Sequence, residues 1–310
     1  MGRIVIDVSH ATKMIEGHDL VRDLTFSIPQ GQLFGLIGPS GGGKTSAVRL
    51  MVGAYAPTAG RVRVFGTDAT RLTIAQRERI GYMPQQAFLY PTLTASENLA
   101  FIAGIYGIGW LRRRKLIHGV LREMEIWDAR DRLTKDLSGG MLRRLQLAAV
   151  MLPDPELMFI DEPMAGLDPL LRGKLWDILR SLRDRGKTIL MTTQIIQEAE
   201  RCDEVLLLKD GRTVALGTPE ELCQRAFGGE VVRVLVGGPL HEATAAFWET
   251  PGVREVTPLS ANAVRLVTRP DRYALERAVA EARQRGVDVQ AIESATPSFD
   301  EVFQRLVTGA

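Results

Sequence analysis

The feature that most constrains this chain is the run at residues 38–45, GPSGGGKT, which fits the pattern G-x-x-x-x-G-K-[ST]. The apolar run Leu33–Ile37 comes before it and predicts a buried strand, and a helix is expected to begin near Lys44. Glycines in such a turn let backbone N–H groups point inward around a phosphate, because no Cβ stands in the way. The run therefore predicts a phosphate-binding loop between a strand and a helix.

Side chains at the end of the loop add to this prediction. Lys44 is placed to neutralise the β- and γ-phosphates of a nucleotide, and the Thr45 hydroxyl is placed to ligate Mg²⁺. The positive end of the helix dipole favours the same anion. The residues predicted to bind the nucleotide here are Gly38, Pro39, Ser40, Gly41, Gly42, Gly43, Lys44, Thr45 and Ser46.

Two adjacent carboxylates follow a second apolar run, at residues 157–160. Asp161 is predicted to hold the hydration shell of the Mg²⁺ ion. Glu162, one residue further on, is predicted to polarise water for attack on the γ-phosphate. An acidic pair after a strand is a weak signal alone, and it becomes a strong one beside a phosphate-binding loop.

The sequence LSGGM at residues 137–141 precedes a helix-patterned run and offers a second site for an anion. Ser138, Gly139 and Gly140 form this second cradle. One bound nucleotide needs only one cradle, and the simplest explanation for two is a head-to-tail dimer in which this loop closes over the nucleotide of the other subunit. An ordinary helix cap with a glycine turn is the alternative.

The organisation of the chain indicates two domains, as its length of 310 residues also favours. Strand-like and helix-like stretches alternate over the first 225 residues or so, which predicts an α/β fold with a largely parallel sheet. Gly228 and Gly229 mark the expected boundary. The pattern beyond them is βαββαβ, the order of a small ferredoxin-like α+β sandwich.

Charge and hydropathy limit the class of partner. The formal net charge of +2 is too small to predict a nucleic-acid partner. Apolar stretches are strand-sized and fall short of the roughly 18 residues needed to span a bilayer. A role at a membrane would therefore require recruitment by another chain.

The ordered set of motifs resembles the ATP-binding-cassette (ABC) ATPase family over about the first 225 residues. GPSGGGKT is followed by Gln85 in YMPQ, by LSGGM, and by the pair Asp161 and Glu162. Asp168, in AGLD, is similar to the family's D-loop, and Gln194, in TTQ, occupies its switch position. The resemblance implies a P-loop NTPase fold in a nucleotide-binding domain at 1–228, with a helical subdomain at about 86–152 and an accessory or regulatory domain at 229–310.

The resemblance also implies ATP and Mg²⁺ as cofactors and a role for each motif. Gln85 would join Thr45 around Mg²⁺ and sense a membrane partner, while Asp168 would couple the two sites across the dimer. The stretch at 86–91, which contains Phe88, Leu89 and Tyr90, would help line the groove that receives a cytoplasmic helix of the permease. Buried packing is the alternative for that stretch.

Three positions depart from the usual family pattern. Met141 stands where Gln is usual, Gln194 where His is usual, and Ile15 near the position of an aromatic residue that stacks on adenine. Ile15 would then contact adenine only through its apolar surface. LSGGM followed by Leu142 and two arginines, the TTQ triplet, and the segment at 297–303 look like the daunorubicin-resistance branch of bacterial exporter ATPases. Since Glu162 is intact, slow but real hydrolysis is expected, with Gln194 assisting.

The implied function is an ATP-binding and ATP-hydrolysing subunit that powers export of a hydrophobic or drug-like substrate through a separate permease. Two such subunits, identical or closely related, would dock at the cytoplasmic side of the cell membrane. A soluble ABC ATPase acting on ribosomes or nucleic acid is disfavoured, because the chain has one phosphate-binding loop and only about 90 residues between Lys44 and Ser138. The sequence also leaves open an importer subunit and a catalytically impaired regulatory cassette.

Overall fold

The computed structural model describes residues 2–269, 271, 273–295 and 297–308. The chain divides into two compact units, a first unit at Met1–Leu216 and a second unit at Gly217–Ala310. The strands up to this boundary are β1 (Ile4–Ile15), β2 (His18–Pro29), β3 (Leu33–Ile37), β4 (Ala59–Val64), β5 (Thr67–Asp68), β6 (Ile80–Met83), β7 (Leu157–Asp161), β8 (Thr188–Thr193), β9 (Glu204–Lys209) and β10 (Arg212–Gly217). The helices of the first unit are α1 (Lys44–Met51), α2 (Ile74–Arg77), α3 (Ala95–Ile105), α4 (Trp110–Glu123), α5 (Gly139–Met151) and α6 (Pro169–Asp184).

The first unit contains two sheets. One is antiparallel in the order β2-β1-β4-β5, and the other has the order β10-β9-β3-β8-β7-β6 with parallel pairing from β9 to β6. Every residue of β3, β7 and β8 is buried, as expected for parallel strands covered on both faces. Phe26 of β2 stacks on Phe34 of β3 with ring centroids 5.5 Å apart, within the apolar core that both sheets share with α1.

This topology sets the position of the predicted loops. The strand predicted before the glycine run is β3, the predicted helix begins at Lys44, and the run at 157–160 lies in β7. The carboxyl ends of β3, β7 and β8 lie at one edge of the sheet, because these strands are parallel neighbours. Loops at that edge of a parallel sheet are the usual place for a ligand.

The helical part of the first unit lies between β6 and β7. Here α3, α4 and α5 pack on one another. Thr94 caps α3 and forms a reciprocal pair of hydrogen bonds with Glu97, and Ser138 caps α5. None of the helices in the described part of the chain is both long and apolar enough to cross a membrane.

The second unit has the predicted βαββαβ order between two flanking helices. Its elements are α7 (Pro219–Phe227), β11 (Val231–Gly237), α8 (Leu240–Trp248), β12 (Val253–Ser260), β13 (Ala263–Thr268), α9 (Ala274–Gln284), β14 (Asp288–Ser294) and α10 (Phe299–Thr308). The sheet is antiparallel in the order β12-β13-β11-β14. Phe247 of α8 and Val279 of α9 pack on Val264 and Leu266 of β13 in one apolar core.

An ionic network explains where the boundary between the units lies. Arg265 of β13 donates two hydrogen bonds of 2.7 Å to the carboxylate of Glu301 on α10. Arg305 of α10 bonds Glu255 of β12 at 2.7 Å, and its guanidinium lies over the ring of Phe227 in α7. Because α7 packs against α10 and this network, it belongs to the second unit. The predicted boundary at 228/229 follows α7, whereas the division in the structure precedes it.

Candidate nucleotide site

The glycine-rich loop lines a cavity of about 550 Å³ at the carboxyl end of β3. The lining consists of Asp19, Leu20, Ser40, Gly41, Gly42, Gly43, Lys44, Thr45, Ser46, Gln85, Glu162, Asp210 and Gly211. The phosphate loop, Gln85 and Glu162 were predicted from the sequence to meet here. Asp19, Leu20, Asp210 and Gly211 were not predicted, because they reach the cavity from the start of β2 and from the β9–β10 connection.

Two close backbone approaches fix the shape of the loop. A Cβ on Gly38 would lie 1.9 Å from the carbonyl oxygen of Leu208, so that position accepts only glycine. Gly43 has a φ of 97°, and a Cβ there would meet the carbonyl oxygen of Leu20 at 2.7 Å. The loop is therefore held between β9 and the β1–β2 hairpin.

Lys44 is folded into the loop. It is 5% exposed, and its Nζ donates to the carbonyl oxygens of Gly38 at 2.9 Å and Pro39 at 3.0 Å. The same nitrogen lies 3.7 Å from Oε1 of Glu162. Burial lowers the pKa of Lys44, and the charges of Glu162 and Asp161 oppose that shift. A phosphate group in the cavity would add to those anions and favour the charged ammonium.

Asp161 ends β7 beside two hydroxyl groups. The Thr45 hydroxyl donates to Oδ2 of Asp161 at 3.0 Å, and the Thr192 hydroxyl donates to Oδ1. Thr192 also accepts the backbone N–H of Glu162 at 3.0 Å. The sequence interpretation placed 192–194 at a switch and gave Thr192 no role. A threonine near the end of β8, the strand next to β7, was the available signal.

Glu162 adopts a left-handed backbone conformation, with a φ of 49°. For a residue other than glycine this costs of the order of 1–3 kcal/mol, and it persists only where the surroundings hold it. The side chain is held at Oε2, which accepts from Nε2 of Gln85 at 3.0 Å and from Nε2 of Gln194 at 2.8 Å. Gln194 accepts in turn from the Ser40 hydroxyl at 2.9 Å. Gln194 thus connects the phosphate loop to Glu162.

Arg143 is a buried residue of this site that the sequence interpretation missed. It lies in α5, is 8% exposed, and donates to the carbonyl oxygens of Gln85 at 2.9 Å and Glu162 at 2.5 Å. Further hydrogen bonds join it to the carbonyl oxygens of Asp161 at 3.2 Å and Pro163 at 3.3 Å. Burial lowers the pKa of Arg143, and the carboxylates of Asp161 and Glu162 oppose the shift.

Five predicted site residues lie outside the cavity lining and make no described side-chain hydrogen bond to it. Ser138 and Asp168 are exposed caps of α5 and α6, whose side chains accept from Met141 N at 3.3 Å and Leu171 N at 3.0 Å. Gly139 is exposed, while a Cβ on Gly140 would meet Leu171 at 2.5 Å. Ile15 is partly exposed at the end of β1, opposite His18.

The side chains of the cavity, with those bonded directly to them, suit a nucleotide and its cation. Gly41 leaves open space beside its backbone, and the loop precedes the amino end of α1, so the backbone offers room and N–H groups for phosphate oxygens. Thr45, Asp161 and Gln85 supply hydroxyl, carboxylate and amide oxygens, the ligand types that Mg²⁺ prefers. A carboxylate, a buried lysine and two amides around one point can bind a phosphate chain and orient water.

Comparison with known proteins identifies the family. The family model for ABC transporters matches residues 21–165. The daunorubicin/doxorubicin resistance ATP-binding protein of Streptomyces peucetius is 35% identical over 97% of this chain and 92% of its own length. The chain belongs to the ABC transporter family. Nod factor export ATP-binding protein I of Rhizobium etli is 38% identical over 76% of this chain and 75% of its own length.

Solved structures agree with this assignment. The ATP-binding subunit of an ABC transporter superposes with a TM-score of 0.66 at 29% identity, covering 72% of this chain and 93% of its own. A dimeric ATP-binding cassette bound to ADP and Pi superposes with a TM-score of 0.62 at 25% identity, covering 69% of this chain and 98% of its own. The predicted P-loop ABC ATPase fold is confirmed, and the chain is an ABC-type ATPase.

Proposed function

We propose that this ABC ATPase powers export through a separate membrane-spanning permease, from the cytoplasmic side of the cell membrane. The observation that carries the proposal is the similarity to a drug-resistance ATP-binding protein over nearly the full length of both chains. Similarity to Nod factor export proteins supports the same direction of transport. The substrate that we propose is hydrophobic or drug-like.

The roles proposed for the site follow its geometry. Lys44 and the backbone at 38–46 bind the phosphates, while Thr45, Gln85 and Asp161 would hold Mg²⁺, which would screen the charge that develops on the phosphate oxygens. Glu162 is the base that orients the attacking water. Two amides donate to Oε2 of Glu162, and these bonds aim its carboxylate. Gln194, which bonds Ser40 as well, keeps Glu162 in register with the phosphate loop.

A head-to-tail dimer is proposed to complete each site. Ser138, Gly139 and Gly140 would close over the nucleotide of the other subunit, and Asp168 would couple the two sites. Ser138, Gly139 and Asp168 are exposed, and the space beside Gly139 is open, which leaves this surface available to a second chain. Ile15 would contact the adenine ring through apolar contact alone.

The assignment of the base is tested by Glu162→Gln. The variant keeps the size of the side chain and removes its basicity, so Mg²⁺-ATP turnover is expected to fall by about 100-fold or more. Binding of a fluorescent ATP analogue should stay within a few-fold of wild type. Unchanged turnover in the purified dimer would remove Glu162 from the role of base.

A surface for the permease is proposed on the helical part of the first unit. The apolar patch consists of Phe88 and Tyr90, in the segment after Gln85, and of Phe101 and Ile105 on α3, and Ile105 is 69% exposed. Tyr90 packs edge-on against Phe101, with ring centroids 5.1 Å apart. Buried Asn98 exchanges hydrogen bonds with the backbone of Tyr90 at 2.8 and 3.0 Å, which fixes the segment to α3. In the segment 86–91, Leu89 is buried while Phe88 and Tyr90 are exposed, and we propose that the two exposed rings contact the permease.

The partner is tested by affinity purification of the tagged chain from its own membranes, followed by mass spectrometry. Recovery of a polytopic membrane protein is expected, with loss of that protein in the patch variant Ile105→Glu. Ile74→Glu is the matched control, because Ile74 is 79% exposed and lies on α2, outside the patch. Recovery of ribosomal or DNA-bound proteins without a membrane protein would overturn the proposal.

A further inference from the structure

Arg143 connects three separate segments of the chain. It lies on α5, the helix whose amino end carries Ser138 and Gly139. Its Nη1 donates to the backbone carbonyl of Gln85, and its Nη2 and Nε donate to the carbonyls of residues 161–163 in the turn after β7. The adjacent Gln146 reinforces the link, since it accepts from Arg143 at 3.3 Å and donates to the carbonyl of Gln86 at 3.3 Å.

The backbone of Glu162 is held from two directions, by Thr192 at its N–H and by Arg143 at its carbonyl oxygen. The N–H of Glu162 is held by Thr192, through its carbonyl oxygen at 3.1 Å and its hydroxyl at 3.0 Å. The carbonyl of Glu162 is held by Arg143 at 2.5 Å. A left-handed glutamate needs such restraint from both sides, because its relaxed backbone would rotate the side chain away.

We propose that Arg143 is a positioning residue for ATP hydrolysis, which fixes the left-handed backbone of Glu162 and ties it to Gln85 and to α5. Its positive charge also attracts the carboxylates of Asp161 and Glu162 through space. Movement of α5 is then transmitted directly to the carboxylate that orients water. The inference rests on the proposed role of Glu162 as the base.

The chemistry of the contact requires arginine. A planar guanidinium presents five N–H groups in a fixed fork, and here the fork reaches carbonyls on two segments at once. A lysine ammonium is a point donor on a flexible stem, and a glutamine amide has only two N–H groups. Turnover is therefore expected to fall in the order wild type, Arg143→Lys, Arg143→Gln. A displacement of about 1 Å at a reacting group can cost of the order of 100-fold, and we expect a fall of that size for Arg143→Gln.

The test compares the Mg²⁺-ATP kinetics of full-length variants in two backgrounds. In the wild-type background Arg143→Gln is expected to lower kcat by roughly 30- to 100-fold with KM within threefold, since its described hydrogen bonds do not include the phosphate loop. In the Glu162→Gln background the same change should have an effect of less than threefold, because residues that act as one unit are not additive. Arg79→Gln is the matched control. Arg79 forms a two-point bond with Glu156, and both residues lie at the amino ends of β6 and β7, away from the carboxyl ends that carry the site. In Arg79→Gln, kcat should therefore stay at the wild-type level while the free energy of unfolding falls.

The outcomes separate this inference from the proposal for Glu162. If Glu162→Gln slows turnover and Arg143→Gln does not, Arg143 has no positioning role and the base assignment stands. Equal slowing by Arg143→Gln in both backgrounds also overturns the inference, because Arg143 would then act independently of Glu162. If Glu162→Gln leaves turnover unchanged, the base assignment and the inference both fail. Should Arg143→Gln not fold, Arg143→Lys is compared in both backgrounds and must show the same loss of effect.

Discussion

Gln194 connects the phosphate loop to the carboxylate that we assign as the base, and its removal should slow hydrolysis measurably. Gln194→Ala deletes a hydrogen bond of 2.8 Å to Oε2 of Glu162 and one of 2.9 Å from the Ser40 hydroxyl. A hydrogen bond to a charged group contributes about 1.5–3 kcal/mol. If that contribution is made in the transition state, kcat should fall by roughly 10- to 150-fold. Gln85 still donates to the same oxygen, so some activity should persist.

The assay is steady-state release of phosphate from Mg²⁺-ATP, with ATP affinity measured separately. Gln194→His should lose less than tenfold in kcat, because one ring N–H can still donate to Glu162. Gln76→Ala is the control, since it removes an amide that bonds Thr73 and Thr67 outside the cavity lining. A kcat within twofold of wild type for Gln194→Ala would show that Gln85 alone orients Glu162, and would refute the reasoning.

Three further predictions concern the dimer surface and stability. Gly139→Ala adds a Cβ into open space, so the melting temperature should hold while dimerisation with a slowly hydrolysed ATP analogue weakens; an intact dimer would contradict the head-to-tail arrangement. Hydrogen bonding from Arg79 holds the pKa of Glu156 below its ordinary value of 4.5. The ionised Glu156 therefore stabilises the folded state above pH 4.5. That contribution is lost as the pH falls through the lowered pKa of the folded state, because the carboxylate is then protonated. The difference in the free energy of urea unfolding between wild type and Arg79→Gln should therefore shrink from pH 7 to pH 3. An equal difference at the two pH values would contradict a stabilising bond between Arg79 and Glu156. Arg265→Met removes the two-point bond to Glu301 of α10 and leaves that carboxylate, among the described ion pairs, only the 3.7 Å contact with Arg305. Because Arg265 is only 12% exposed, we expect a loss of about 3 kcal/mol in denaturant unfolding. Arg233→Met, at an exposed ion pair, should lower the free energy of unfolding far less. Equal losses in the two variants would show that the network around Arg265 adds no stability beyond that of a surface ion pair.

The parts of the fold that the sequence predicts are those in which a local pattern has one physical solution. Leu33–Ile37 is apolar at nearly every position and is followed by glycines and a lysine, and it forms β3, the loop and the start of α1 as expected. Asp161 and Glu162 follow a second apolar strand, and parallel pairing brings them to the same edge. The βαββαβ order of the second unit was likewise predictable from alternating patterns.

The contacts missed by the sequence interpretation are mostly those made to backbone atoms of distant segments. Arg143 binds the carbonyl of Gln85 and the carbonyls after β7, and a carbonyl oxygen has no signature in the sequence. The close approach of the Leu208 carbonyl oxygen to Gly38 was missed for the same reason, since any residue at that position of β9 would present the same oxygen. The boundary at 228/229 was placed after α7 for a related reason, because the packing of α7 on α10 joins segments about 80 residues apart in the chain.

The apolar patch on α3 has a practical consequence for handling the isolated subunit. Phe101 and Ile105 present aromatic and aliphatic surface to water, and Asn98 holds the neighbouring Tyr90 in place instead of letting the segment fold inward. Contiguous apolar surface of this kind drives self-association when nothing covers it. The subunit should therefore aggregate as its concentration rises when it is produced alone. It should remain soluble longer in mild detergent, or when the permease that we propose to dock at the patch is co-expressed.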